Sequence, residues 1–361
     1  MSATNETLHV TLTGPDRPGV TSALFAAIAH EGADVLDLEQ ILVRDHLTLS
    51  LLLQPTGDPQ ALADQAARVG SDLGLQTHVS RGVGDSHNRP SGRAQVVVLG
   101  QPLTATAMSH VASSIAAQAA NIDRIRRLSR YPVTTIELSI SGADLSELRA
   151  ALATVATLQQ IDIAVAPAGL DRLGTRLVVM DVDSTFIQQE VIDLLAVRSG
   201  RQEQVAALTE RAMHGELDFA SALRQRVACL AGLDAAVLDE VRRTIVLTPG
   251  ARTLVRTLRR LGHTLALVSG GFIEIVGPIA EELGIAHVVA NRLEIIDGRL
   301  TGQLDGEIID RIAKARALRM FAVQADVPMS RTVAVGDGAN DLDMLDAAGL
   351  GIAFNAKPIV R

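Results

Sequence analysis

The sequence predicts an α/β chain in which two small α+β units of β-α-β-β-α-β order precede a larger unit built on a parallel sheet with helices on both faces. Three observations carry this. Polar or Pro/Gly-bearing stretches at 84–93 (GDSHNRPSGR) and 166–176 (APAGLDRLGTR) divide the 361 residues into about 1–84, 94–167 and 176–361. The first two pieces show the same succession of apolar runs and helical periods, as a divergent repeat does. From 176 onward, short apolar runs alternate with helical patterns, the mark of parallel strands joined by crossover helices.

In the first piece, LHVTLTG is a strand ending at Gly14, and GVTSALFAAIAHEG (19–32) is a helix that stops at a glycine. ILVRDHLTLSLLLQ (41–54) reads as two strands around the polar turn Arg44-Asp45-His46, and PQALADQAARVGSDLG (59–74) as a second helix. In the second piece, VVVLG is a strand and ATAMSHVASSIAAQAA a helix. IDRIRRLSRYPVTTIELSIS is a hairpin turning near Tyr131-Pro132. DLSELRAALATVATLQ is the second helix and IDIAVAP the closing strand. In the third, RLVVM is a buried strand. LTPGARTLVRTLRRLG is a helix with Pro249 at its start and Gly262 past its end. TLALVSG, GFIEIVGPIAEELG and TVAVGDGAND continue the strand–helix–strand alternation.

Composition excludes several classes of function. A net charge of −8 argues against nucleic acid or an anionic membrane as the main partner. Aromatic residues make up 2% of the chain and Trp is absent, so a base-stacking platform is not expected. No run of about 18 apolar residues suggests a membrane span, and the N-terminal MSATNETLHV does not resemble a signal peptide. The lone Cys229 sits among Val227, Ala228 and Leu230 and reads as a buried filler, which fits a reducing, cytoplasmic setting.

The chemistry concentrates where strands of the third piece end. Asp181 and Asp183 follow the apolar run Val178-Val179-Met180; on a continuing strand they would face one side. Two carboxylates 4 Å apart repel by roughly 4 kcal/mol at an effective dielectric near 20, so a metal ion, a shared proton or a cation must offset them. Ser269-Gly270-Gly271 and Gly336-Asp337-Gly338-Ala339-Asn340-Asp341 close two other strands. Ligands of such sheets bind beyond the carboxyl ends of the strands, which gathers Asp181, Asp183, Asp337 and Asp341 at one edge. Oxygen donors without a His or Cys cluster suit Mg²⁺. Ser269 and the glycine-turn N–H groups can bond phosphate oxygens, and Lys314 offers a point charge for the same phosphate.

In order and type, DxD-S-T, hydrophobic-SG, a lone Lys and GDGxND resemble the haloacid dehalogenase superfamily of phosphotransferases. Phe186-Ile187, Glu190 and the helical segment AMHGELDFASALRQRV narrow the resemblance to the phosphoserine phosphatase family. It implies a Rossmannoid parallel sheet with a helical cap at about 187–247, and hydrolysis of O-phospho-L-serine to L-serine and phosphate as the last step of serine biosynthesis. Asp181 would be the nucleophile and Asp183 the general acid/base. Mg²⁺ would be held by Asp181, Asp337 and the Asp183 backbone carbonyl, with Asp341 in the outer shell. Ser269, Gly270, Lys314 and Asn340 would hold the phosphoryl group, Glu190 the ammonium and Arg226 the carboxylate. Arg224 is an equal candidate to Arg226 by position. Met213 and Phe219 would exclude water. The chain stops at GIAFNAKPIVR, where the family runs on for some tens of residues.

Asp16-Arg17-Pro18-Gly19, at the start of the first helix, resembles the opening of an ACT domain, a ferredoxin-like fold that senses small molecules. Asp16 and Gly19 would then bind an amino-acid effector such as serine, and edge pairing of such domains would give a homodimer. The plainer alternative is that Asp16 only caps the helix. Gln101-Pro102-Leu103-Thr104 occupies the matching place in the second piece and lacks the Asp and the Gly. Two other functions stay open: a different small-molecule phosphatase or phosphotransferase, for example one passing phosphate to homoserine, and a non-catalytic amino-acid sensor.

Overall fold

The computed structural model describes residues 6–84, 92–129, 132–169, 174–214, 216–356 and 360. The connector residues 85–91 and 170–173, the turn residue Tyr131 and the side chain of Met213 lie outside the described residues. The chain forms two compact units, Met1–Pro90 and Ser91–Arg361.

The first unit contains β1 (Glu6–Pro15), α1 (Val20–Glu31), β2 (Ala33–Val43), β3 (His46–Pro55), α2 (Pro59–Asp72) and β4 (Gln76–Val83). Its antiparallel sheet has the order β2-β3-β1-β4. Alternate residues Leu8, Val10 and Leu12 of β1 and Leu47, Leu49, Leu51 and Leu53 of β3 point to one face, where Leu24 and Ile28 of α1 and Leu62 of α2 cover them. β2 begins at Ala33, well before the strand expected from residue 41. Val35, Leu36 and Leu38 in it are exposed; as an edge strand without a buried face it lacks the alternation that would mark it.

The second unit opens with β5 (Arg93–Gly100), α3 (Ala105–Ala117), β6 (Asn121–Ser129), β7 (Thr134–Ser141), α4 (Leu145–Gln159) and β8 (Asp162–Pro167). They form a second antiparallel sheet of order β6-β7-β5-β8, repeating the first arrangement strand for strand.

A six-stranded sheet follows, made of β9 (Leu177–Met180), β10 (Thr264–Phe272), β11 (His287–Ile296), β12 (Arg299–Asp305), β13 (Thr332–Gly336) and β14 (Leu350–Ala353) in the order β12-β11-β10-β9-β13-β14. Its pairs are parallel except β11–β12. All four residues of β9 are buried because both faces are covered. Val178, Met180, Leu265 and Leu267 pack under α9 (Ala251–Arg260) and α10 (Ile273–Leu283). Leu177, Val179, Ala266 and Val268 pack under α11 (Arg311–Gln324) and α12 (Leu342–Ala347). Four further helices, α5 (Val191–Ser199), α6 (Gln202–Met213), α7 (Phe219–Ala228) and α8 (Ala236–Thr244), are inserted between β9 and α9.

Two local expectations shift. α9 begins at Ala251 behind the left-handed Gly250, with Pro249 in the turn that Ala251 N–H closes onto Thr248 O, so the proline precedes the helix rather than starting it. The β11–β12 hairpin turns at Asp297-Gly298, both at positive φ. That dipeptide is a strong hairpin signal, and the turn gives the sheet, expected to be parallel, one antiparallel edge strand.

Leu267 is fully buried at the sheet centre. Leu267→Ala should lower stability by about 2–5 kcal/mol through lost burial and the cavity left behind. Urea denaturation followed by circular dichroism would check this; a loss below about 1 kcal/mol would place the core elsewhere.

Candidate active site

Parallel register sets the site. Met180 lies opposite Leu267 of β10 and Val335 of β13. Asp181 therefore leaves β9 level with the ends of both neighbours, where Ser269 and Asp337 also emerge. The chain leaves β9 toward β10 on one side and reaches β13 on the other, and such a switch point opens a crevice beyond the strand ends.

The strand stops at Met180, so the two aspartates do not share a face. Residues Val182–Phe186 form an irregular turn in which Ser184 takes the left-handed φ of 56°. Ser184 Oγ donates to Glu190 Oε1 at 2.8 Å, fastening a turn that a non-glycine residue adopts only at a cost of roughly 1–2 kcal/mol. The carboxylates then find different partners. Asp181 Oδ1 lies 2.7 Å from Lys314 Nζ. Asp183 accepts from Val191 N–H at 2.8 Å and from Ser269 Oγ at 3.0 Å. Ser269 Oγ in turn accepts from Gly271 N–H at 2.8 Å. A Cβ on Gly271 would stand 2.8 Å from Asp183 Oδ2, so only glycine lets the carboxylate approach.

Lys314 is fully buried and also touches Asp341 Oδ1 at 2.7 Å. Asp341 Oδ2 accepts from Gly338 N–H at 3.1 Å, and Asp337 Oδ1 accepts from Thr185 Oγ1 at 3.0 Å. Among the described residues, Asp181, Asp337 and Asp341 bring carboxylate oxygens within 4.8 Å of one another. The Phe219 ring of α7 reaches 3.5 Å from where a Gly270 side chain would begin, beside the glycine turn. Arg226, also on α7, is half-buried with its Nε lacking a partner among the described residues, whereas Arg224 is exposed.

Comparison with known proteins shows what the chain is similar to. Residues 178–346 match the model of haloacid dehalogenase-like hydrolases, and residues 6–80 and 93–166 each match an ACT domain. A phosphoserine phosphatase from Streptomyces coelicolor is 54% identical over 359 residues, covering 98% of this chain and 87% of that protein. One from Mycobacterium tuberculosis is 51% identical with the same coverage. The chain belongs to the phosphoserine phosphatase family. Among solved structures, the unliganded probable phosphoserine phosphatase of Vibrio cholerae superposes with a TM-score of 0.56 at 38% identity, covering 74% of this chain and 80% of that one. A haloacid dehalogenase family hydrolase from Salmonella enterica serovar Typhi gives 0.63 at 27% identity, covering 74% and 92%.

Within this family member, the charges are arranged unevenly. Burial alone would lower the Lys314 pKa, yet Asp181 and Asp341 hold it above the ordinary lysine range. Burial pushes Asp181 well up, against the pull of Lys314 and with the charge of Asp341 adding to the rise. When ionised, Asp181 and Asp341 outnumber the one ammonium and half-buried Asp337 adds a third carboxylate; burial raises Asp181 and Asp337 because these charges are costly to hold without a further cation. Three hard oxygen donors so placed fit a divalent metal cation. Asp183 stands apart: burial first, then the charge of Glu190, raise it to about 6 against its two hydrogen bonds. Burial lowers Arg226 from its ordinary value, while Glu190, Asp193 and Asp183 pull it back up.

Asn340, half-buried on the turn Ala339–Asp341, folds its Oδ1 back toward Gly338, where a Cβ would lie 2.2 Å from it. Asp16 and Gly19 lie in the first unit, both exposed. Gly19 itself occupies the N-cap of α1 with no side chain capping it, so the reading of Asp16 as a cap fails. Three groups escape sequence reasoning. Thr185 and Ser184 fall inside the DxDST motif without a role being evident. Buried Asn291 donates to Gly270 O and accepts from Ile309 N–H, both at 2.8 Å, pinning the glycine turn to the approach of α11. A lone Asn closing the apolar run VVAN was its only signal.

Removing the ammonium strands two buried carboxylates. Lys314→Met should cost about 3–5 kcal/mol in metal-free protein, and adding Asp341→Asn should recover part of it; urea denaturation in EDTA decides, with a loss below 1 kcal/mol counting against the charge balance. The raised Asp183 binds its proton more tightly folded than unfolded, so metal-free stability falls as pH rises from about 4 to about 6. Asp183→Asn should therefore raise Tm above pH 6 and leave it unchanged below pH 4. Equal effects at both ends would refute the assignment.

Proposed function

We propose that this chain is a Mg²⁺-dependent phosphoric monoester hydrolase acting on O-phospho-L-serine and releasing L-serine and phosphate. The observation that carries the reading is the separation of two carboxylates one residue apart, Asp181 on Lys314 and Asp183 on Ser269. Neighbouring carboxylates with different surroundings take different tasks. Similarity over 98% of the chain to proteins named phosphoserine phosphatase supports the same substrate.

On this reading, an Asp181 carboxylate oxygen attacks phosphorus, the bond to the serine oxygen breaks, and an aspartyl phosphate forms. Asp183 gives its proton to the departing serine oxygen. It then takes a proton from water as that water attacks phosphorus, the Asp181–phosphorus bond breaks and phosphate leaves. Lys314, oriented by Asp341, offers its charge to the phosphoryl group as well as to the nucleophile. Ser269, Gly270 and Asn340 bind the phosphoryl oxygens. Asp181, Asp337 and the Asp183 backbone carbonyl would hold Mg²⁺, which when bound neutralises charge between nucleophile and phosphate. Glu190 pairs with the substrate ammonium and Arg226, whose Nε has no partner among the described residues, with its carboxylate. Phe219 walls the site from water.

The division into domains 1–84, 94–167 and 176–361, with a cap at about 187–247, belongs to the same reading. So do an amino-acid effector such as serine at Asp16 and Gly19, a homodimer and a cytoplasmic setting. Among the described residues no helix is long and apolar enough to cross a membrane.

Asp181→Asn should reduce phosphate release from phosphoserine by about 10³-fold or more with the fold intact; near wild-type turnover would refute the mechanism. Arg226→Ala should raise KM about tenfold or more for phosphoserine, the loss of one charge-assisted hydrogen bond, and leave a phosphomonoester without a carboxylate unaffected. Phosphate release with and without Mg²⁺, titrated with serine, tests metal dependence and regulation together.

A further inference from the structure

A charged surface lies away from the crevice and takes no part in the chemistry above. α9 carries Arg252, Arg256, Arg259 and Arg260 in ten residues with no acid among them. Pairs such as Arg252/Arg256 and Arg256/Arg260 stand four residues apart, where like charges cost an exposed helix about 0.2–0.5 kcal/mol each. All four arginines line a groove of about 430 Å³ against α10, floored by buried Val255 and Leu283. A smaller hollow continues from it past Arg252 to Arg242 of α8.

Neutralisation of these charges within the chain is incomplete. Arg252 pairs with Glu282 at 2.9 Å, the one acid lining either hollow. Arg259 donates to the Leu283 carbonyl at 2.9 Å. Arg256 and Arg260 are exposed and have no hydrogen-bond or ion-pair partner among the described residues. The chain as a whole carries −8, so this concentration of positive charge runs against the average of its surface.

We propose that the α9–α10 groove is a binding site for a small molecule bearing a chain of phosphates. Guanidinium forks at successive helical turns match successive phosphates with paired hydrogen bonds, and the groove is large enough for a nucleoside polyphosphate. The shared chemistry is the phosphate chain; a nucleoside, where present, would rest on the apolar floor.

The test uses the full chain in EDTA, with ATP and tripolyphosphate as probes, read by calorimetry and by Tm. Both should bind, more weakly at 0.5 M than at 0.1 M salt, and Arg256→Ala/Arg260→Ala should weaken them tenfold or more without changing phosphatase activity assayed with Mg²⁺. Asp181→Asn should leave this binding unaltered, so failure here is separable from failure of the hydrolase reading. Tighter binding of ATP than of tripolyphosphate would identify the nucleoside source, and equal binding the phosphate chain alone. The proposal is overturned if neither probe binds, if the double variant binds as the wild type does, or if binding is lost in Asp181→Asn instead.

Discussion

A buried ammonium between two buried carboxylates is the constraint on which the site depends. Lys314 has no solvent exposure, and its Nζ lies 2.7 Å from both Asp181 and Asp341. Burying such a trio is not a route to stability, since desolvation takes back most of the attraction. What the arrangement provides is direction. A lysine at the end of a flexible stem is held on one side by the strand end that carries Asp181 and on the other by the turn that carries Asp341. That demands the parallel register at Met180, and it demands that α11 begin where it does. Asp310 caps α11, and Asn291 anchors the preceding Ile309 N–H to the glycine turn. Gly336 supplies the last condition, because a Cβ there would meet the Asp341 carboxylate at 2.5 Å.

With Lys314 committed to Asp181, the second aspartate is left to a different environment. Ending the strand at Met180 and placing Ser184 in left-handed backbone turns Asp183 toward Ser269 and the first N–H of α5. The repulsion implied by two carboxylates one residue apart is thus relieved first by geometry. The carboxylates that, when ionised, outnumber the ammonium are instead Asp181, Asp337 and Asp341. One short turn, fixed by the Ser184–Glu190 hydrogen bond, separates a carboxylate beside an ammonium from one beside a hydroxyl.

Much of this was legible in the sequence because strand ends in a parallel sheet advertise themselves: an apolar run stops and polar or glycine residues follow. Asp181, Ser269 and Asp337 were placed together by that logic alone. Lys314 was not, since nothing local distinguishes a buried lysine in IDRIAKARAL from a solvated one; only its order among the motifs did. Asn291 and Thr185 stayed silent because their roles are hydrogen bonds to backbone and to residues more than a hundred positions away. The start of the edge strand β2 was placed too late and the antiparallel β12 was not read, for opposite reasons. The first shows no alternation because neither face is buried, while the second is signalled only by the Asp297-Gly298 turn at the edge of an otherwise parallel sheet.

The same hydrogen bonds explain how the inserted helices are tied to the chemistry. The insert leaves the sheet through residues 187–189 and returns through 244–248, and the two passages pair with each other: Ile187 with Leu247, and Gln188 N–H on Val246 O. Gln189 adds side-chain bonds to Val246 N–H and Thr244 O. From the return passage, Thr248 Oγ1 donates to Thr185 O at 2.7 Å, and Thr185 Oγ1 donates to Asp337 at 3.0 Å. The insert therefore joins the base as a two-stranded ribbon whose inner end bears on the acidic cluster. The inserted helices carrying Phe219 and Arg226 are thus linked to Asp337 by one chain of contacts that runs through Thr185.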